Sequence, residues 1–194
     1  MQLADYFDDV VLIDAPSGPT GPLRERLRHH GLQPWSLSTQ ADDAGAGAAR
    51  HTLAEALAHA RACGARGALL LLADPGDDAA FWTSQDAVVE HLDARPWDIV
   101  YLGHGQPARD DPQGRPTLVR CDMPPSAVTA IAVSCPVLEA LVEAMPDHGV
   151  DGALAPADWL AIACWLALDR VRPGRAWAAW PPLLRPRQGA LALH

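Results

Sequence analysis

Two kinds of hydrophobic pattern alternate along this chain. Short apolar runs, "VVLIDA" (10–15), "GALLLLAD" (67–74) and "WDIVYLG" (97–103), are closed by Pro, Gly or Asp, as strands buried on both faces are. Between them apolar residues return every three or four positions, the period of a helix with one buried face. This spacing predicts a helix over 20–30, where Leu23 and Leu27 share a face and Gly31 follows as a left-handed C-cap. It predicts another over 52–63, with Leu53, Leu57 and Ala60 on one side and Gly64 just beyond. Further helices are expected over 86–94 and 157–171, and over 136–145, where Val137, Leu138, Leu141, Val142 and Met145 form an apolar stripe. "PWSLS" (34–38), "TLVRC" (117–121), "AVTAIAVS" (127–134) and the Trp-rich "RAWAAWPPLL" (175–184) add extended segments. The stretches 40–50 and 104–116, low in bulky side chains or broken by Pro and Gly, are expected to be flexible loops. Strand and helix in alternation point to an α/β fold with a Rossmann-like, mostly parallel central sheet flanked by helices.

The 194 residues, 49% of them hydrophobic, are enough for one sizeable core, and no shift in composition divides them, so a single domain over 1–194 is expected. A net charge of -9, with all fifteen basic residues arginine, offers no basic face to a phosphate backbone, which excludes nucleic acid as an expected partner. The first nine residues carry three acids, and no apolar run approaches the ~20 residues that span a bilayer. A cytoplasmic protein without a transmembrane segment is the expectation. Cys63, Cys121, Cys135 and Cys164 include no C-x-x-C pair and read as reduced, mostly buried thiols.

Candidate chemistry begins at "LLLLADPGDDAAFW" (69–82), where an apolar run opens into Asp74, Asp77 and Asp78. Carboxylates beyond a strand end hold metals or nucleotides in α/β proteins, and they equally stop strands and cap the helix that follows. His51, Glu55 and His59 recur every four residues, so a helix places them along one slowly drifting edge. Such an edge is a solvated face with a His–Glu pair or a site for a transition metal. Asp98 reads as a turn acid behind a core Trp97, and His104 lies just past the "IVYLG" strand, at the edge where open α/β sheets place ligands.

In order, "VVLIDA", a helix opened by Arg50-His51, "LLLLADPGDD", "WDIVYLGHG", "AVTAIAVSCPVLEALVEAM", "HGVDGALAPADWL" and "AAWPPLLRPRQG" span nearly the whole chain. This order resembles glycosyltransferase family 25, the bacterial lipopolysaccharide and procollagen-type sugar transferases, with "WDIVYLG" the most specific piece. The resemblance implies a GT-A-like fold and transfer of a sugar from a nucleotide-sugar donor to a glycan or other hydroxyl acceptor. It implies a divalent metal, manganese or magnesium, held by Asp74 or by Asp77 and Asp78. Asp151 or Asp158 would act at the acceptor, and His51, His104, Arg185, Arg187 and Gln188 would line the substrate sites. A cation suits that chemistry because a departing nucleoside diphosphate gathers negative charge.

The chain departs from the family's Glu-Asp-Asp, reading Ala73-Asp74-Pro75 before Gly76, and Arg50 stands where the family has Ser. A second expectation follows, that of a catalytically degenerate transferase fold that binds a nucleotide, a glycan or a protein. An unrelated Rossmann-like domain is the third, although no G-x-G-x-x-G or Walker loop supports it.

Overall fold

A computed structural model describes residues 6–7, 9–14, 21–32, 34–38, 45–71, 83–105, 117–144, 156–171 and 175–183. In chain order these form β1 (Asp9–Asp14), α1 (Gly21–His29), β2 (Pro34–Ser38), α2 (Gly45–Cys63), β3 (Gly67–Leu71), α3 (Gln85–Ala94) and β4 (Ile99–Gly103). They continue with β5 (Thr117–Arg120), β6 (Ala130–Ser134), α4 (Cys135–Ala144), α5 (Pro156–Val171) and β7 (Ala176–Trp180). The strands make one sheet of order β2-β1-β3-β6-β4-β7-β5.

The sheet is mixed. β1 pairs parallel with β2 and β3, and β4 with β7, whereas β6 runs antiparallel between β3 and β4, and β5 antiparallel to β7. The expectation of a mostly parallel sheet is therefore corrected. "DIVYLG" points the same way as "GALLL" but is not its neighbour, because β6, buried at every position, separates them. Periodicity reports that a strand is buried on both faces and carries no sign of its direction.

Side chains alternate across the sheet and feed two cores. On one face Leu69, Leu71, Val100, Leu102, Ala130 and Ala132 meet Leu27 of α1 and Val88, Val89 and Leu92 of α3. On the other, Ala68, Leu70, Ile99, Tyr101, Ile131 and Val133 pack beneath α2, α4 and α5 through Leu57, Leu138, Leu141 and Leu168. The strand order explains this division. Successive right-handed crossovers that step in opposite directions, β1 to β2 and then β2 to β3, must put α1 and α2 on opposite faces.

Helix ends follow their sequence signals. Gly31 and Gly64 take φ values of 80° and 71°. At each the two amides beyond the helix fold back on its last turn: Gly31 N–H to Arg28 O and Leu32 N–H to Leu27 O, then Gly64 N–H to Arg61 O and Ala65 N–H to Ala60 O. The expected loop over 40–50 is corrected where it is described, since residues 45–50 are the first turns of α2. "GAGAAR" is low in bulk, but alanine and arginine are strong helix formers, and a helix extension needs no core of its own. Arg50-His51 consequently lie within α2 and do not open it. The expected loop over 104–116 falls outside the described residues after Gly105. No helix among the described residues is long and apolar enough to cross a membrane.

Candidate functional site

Because β1, β2, β3, β4 and β7 run in one direction, their C-terminal ends share one edge of the sheet. Registers show how level those ends are. Leu71 and Gly103 both face Ala130, from opposite sides of β6, so β3 and β4 end at the same height, two strand spacings or about 10 Å apart. Leu12 faces Leu71, which carries Asp14 two residues past the level of Leu71. Chain connections leave β1 toward β2 on one side, while β3 continues toward the other side. The gap between β1 and β3 is thus the point of reversal at which open α/β sheets form a ligand crevice.

His104 follows β4 on this edge and is fully buried. Its Nε2 lies 3.1 Å from the carbonyl oxygen of Ala179. A carbonyl only accepts, so Nε2–H donates and Nδ1 carries the lone pair. That Nδ1 is buried and has no hydrogen-bond partner among the described residues. The imidazole stacks on the half-buried indole of Trp180, with centroids 5.9 Å apart and planes 25° apart. Burial pushes the His104 pKa down, partly opposed by the bond to Ala179, so the ring is neutral near pH 7. A neutral imidazole whose Nδ1 lacks a partner among the described residues can accept a hydrogen bond, and the half-buried indole beside it offers an aromatic face.

The backbone around His104 is tied down on both sides. Thr129 N–H donates to Gly103 O at 2.9 Å, Gly105 N–H to Ser126 O at 3.0 Å, and Leu183 N–H to Leu102 O at 2.8 Å. Between the first two ties lies Ala127, whose φ of 47° is in the left-handed region that alanine adopts at a cost of about 1–2 kcal/mol. The Trp180–Pro181 peptide is cis.

Of the other residues singled out by sequence, Asp158 lies in the first turn of α5, where its backbone alone is described. His51 likewise has a described backbone, two turns into α2 and near neither the helix start nor its end. Asp74, Asp77, Asp78, Asp151, Arg185, Arg187 and Gln188 lie outside the described residues. Asp98 sits at the bend before β4, as a turn acid does, and is 5% accessible, with Arg175 Nε 3.9 Å from its Oδ2. The cysteines are all free, but the expectation of mostly buried thiols is corrected: Cys164 alone is buried, Cys121 and Cys135 are half-buried and Cys63 is exposed. Desolvation pushes the Cys164 thiol up to about 12 and Cys121 up to about 11. Tyr101, between strands of the core, is also raised, first by burial and then by those two thiols, and its buried hydroxyl has no hydrogen-bond partner among the described residues. These three groups are inert at neutral pH.

Sequence reasoning missed the partnership of His104 with Trp180 and Ala179. The spacing of 75 residues between His104 and Ala179 carries no local signal, and only the pairing of β4 with β7 joins them. No family model, curated protein or solved structure matches this chain.

Proposed function

We propose that this chain is a nucleotide-sugar-dependent glycosyltransferase of GT-A-like architecture, with donor and acceptor meeting along the C-terminal edge of the sheet. The supporting observation is His104: a buried, neutral imidazole whose Nδ1 has no hydrogen-bond partner among the described residues, stacked on Trp180, about 10 Å across the sheet from the end of β3. The sequence that follows β3 holds Asp74, Asp77 and Asp78, the carboxylates assigned to a divalent metal, and the reversal point between β1 and β3 is the natural seat of the nucleotide. In this reading Trp180 supplies a sugar-stacking face and His104 accepts a hydrogen bond from a donor or acceptor hydroxyl. A metal at the carboxylates would supply charge neutralisation for the leaving diphosphate.

A binding-only domain is the second reading, favoured by Pro75-Gly76 standing between Asp74 and the later pair. The test is thermal unfolding with uridine or cytidine diphosphate and manganese, followed by donor hydrolysis with the matching nucleotide sugars. A ligand at 100 times its dissociation constant stabilises the folded state by about 2.7 kcal/mol, a readily measured rise in Tm. Rise together with hydrolysis supports transfer, and rise without hydrolysis supports the binding domain. No rise with either nucleotide rejects transfer from a uridine or cytidine donor and leaves of the second reading only a glycan- or protein-binding domain.

A further inference from the structure

The four-residue series His51, Glu55, His59 continues one step further than its acidic and imidazole members, to Cys63 in the last turn of α2. Residues four apart on a helix are surface neighbours, and here they meet. The Cys63 sulfur lies 3.6 Å from His59 Nε2 and 4.0 Å from His59 Nδ1, with both side chains exposed. A tetrahedral ion with a metal–sulfur bond of about 2.3 Å and a metal–nitrogen bond of about 2.05 Å holds its sulfur and nitrogen about 3.6 Å apart. The pair therefore already has the span that one metal ion would impose.

We infer that His59 and Cys63 form a surface clip for a thiophilic divalent transition metal of the zinc class. Thiolate with imidazole is the donor set that selects such ions over magnesium, calcium or manganese, which prefer oxygen. No group of three or more His, Cys, Asp or Glu side chains among the described residues could hold a metal, so water completes the coordination. Cys63 precedes Gly67, the first residue of β3, whereas the candidate transferase site lies past the C-terminal strand ends. The clip is therefore at the opposite edge of the sheet and independent of the proposed function.

Cobalt(II) is the probe, because a cobalt–thiolate bond absorbs in the near ultraviolet and reports sulfur coordination directly. The full-length protein, titrated with cobalt at one fixed pH above neutrality because metal affinity depends on pH, should develop this band and saturate at one ion per chain. The band should be absent in Cys63→Ser and persist in Cys121→Ser and Cys135→Ser. In His59→Gln, cobalt affinity should fall at least about tenfold, the loss produced by removing even an outer partner of a metal ligand. Zinc should displace cobalt and slow alkylation of Cys63 in the wild type, and a chelator should restore the rate. Absence of the band in the wild type, its survival in Cys63→Ser, or unchanged affinity in His59→Gln would overturn the clip and leave the pair a hydrogen bond. His59 and Cys63 are exposed, Cys121 and Cys135 are half-buried, and a melting curve for each variant verifies that it folds.

Discussion

At the scale of single residues, the buried groups make the sharpest expectations. His104 has a folded pKa below its unfolded value of about 6.5, so the unfolded chain binds a proton more readily. Its contribution to stability is therefore complete above that unfolded value and is lost as the pH falls through the folded one. Melting temperatures measured from pH 8 to 5 should show an acid-side decline that flattens in His104→Gln; an unchanged slope would mean that the imidazole protonates freely in the fold. Ala127, in the left-handed region, makes the opposite kind of prediction. Glycine relieves a backbone cost of about 1–2 kcal/mol and returns about 0.4–1 kcal/mol through a freer unfolded chain. Ala127→Gly should then stabilise by up to about 1.6 kcal/mol in urea titrations, and any loss of stability would show that the alanine methyl packs productively. Thiol reactivity separates the cysteines in the same way. Exposed Cys63 should be alkylated first at pH 8, well before Cys121, whose thiol is held up to about 11, and before the enclosed Cys164.

At the scale of elements, β6 is where the sequence and the structure part most instructively. "AIAVS" reads correctly as a buried strand, and its neighbours "GALLL" and "IVYLG" read correctly too, yet nothing in their composition says that β6 enters between them in reverse. Strand identity is a local property of apolar runs, while order and direction depend on contacts made across more than sixty residues, such as Gly67 with Ser134. Helix ends were legible because Gly31 and Gly64 act through the last turn alone. The start of α2 was not, since "GAGAAR" has the low bulk of a loop together with the propensity of a helix. Gly67 makes the β3–β6 contact testable. A Cβ there would overlap the carbonyl oxygen of Val133 and stand 2.9 Å from Ser134 Cα, both of them backbone atoms in the middle of the sheet. Gly67→Ala should destabilise by about 1–3 kcal/mol, as overpacking of a tight interior does, and a neutral result in a denaturant titration would place β6 elsewhere.

At the scale of the whole molecule, two cores share a single sheet, and that arrangement decides whether the chain behaves as one unit. Every central strand contributes to both faces, with Leu69 and Leu71 on one and Ala68 and Leu70 on the other, so neither core survives if the sheet opens. The edge that carries His104 is built the same way, from β4, β6 and β7 together, which is why its chemistry was only half visible in sequence. The position of His104 past a strand was readable; its partners on β7 depended on the assembled sheet. One cooperative transition is the consequence. Val88 of α3 and Val137 of α4 are buried at 1% and 0% accessibility on opposite faces of the sheet. Each truncation to alanine removes two buried methyl-sized groups and should cost about 2 kcal/mol, counting transfer and some residual cavity. Because the sheet separates them by more than contact distance, the double variant should show the sum to within about 0.5 kcal/mol. Urea unfolding followed by tryptophan fluorescence and by far-ultraviolet circular dichroism should give coincident curves for wild type and all three variants, with the midpoint lowered and the slope unchanged. If Val137→Ala moved one optical transition and left the other in place, the two faces would be separate folding units, and the expected single domain would have to be divided.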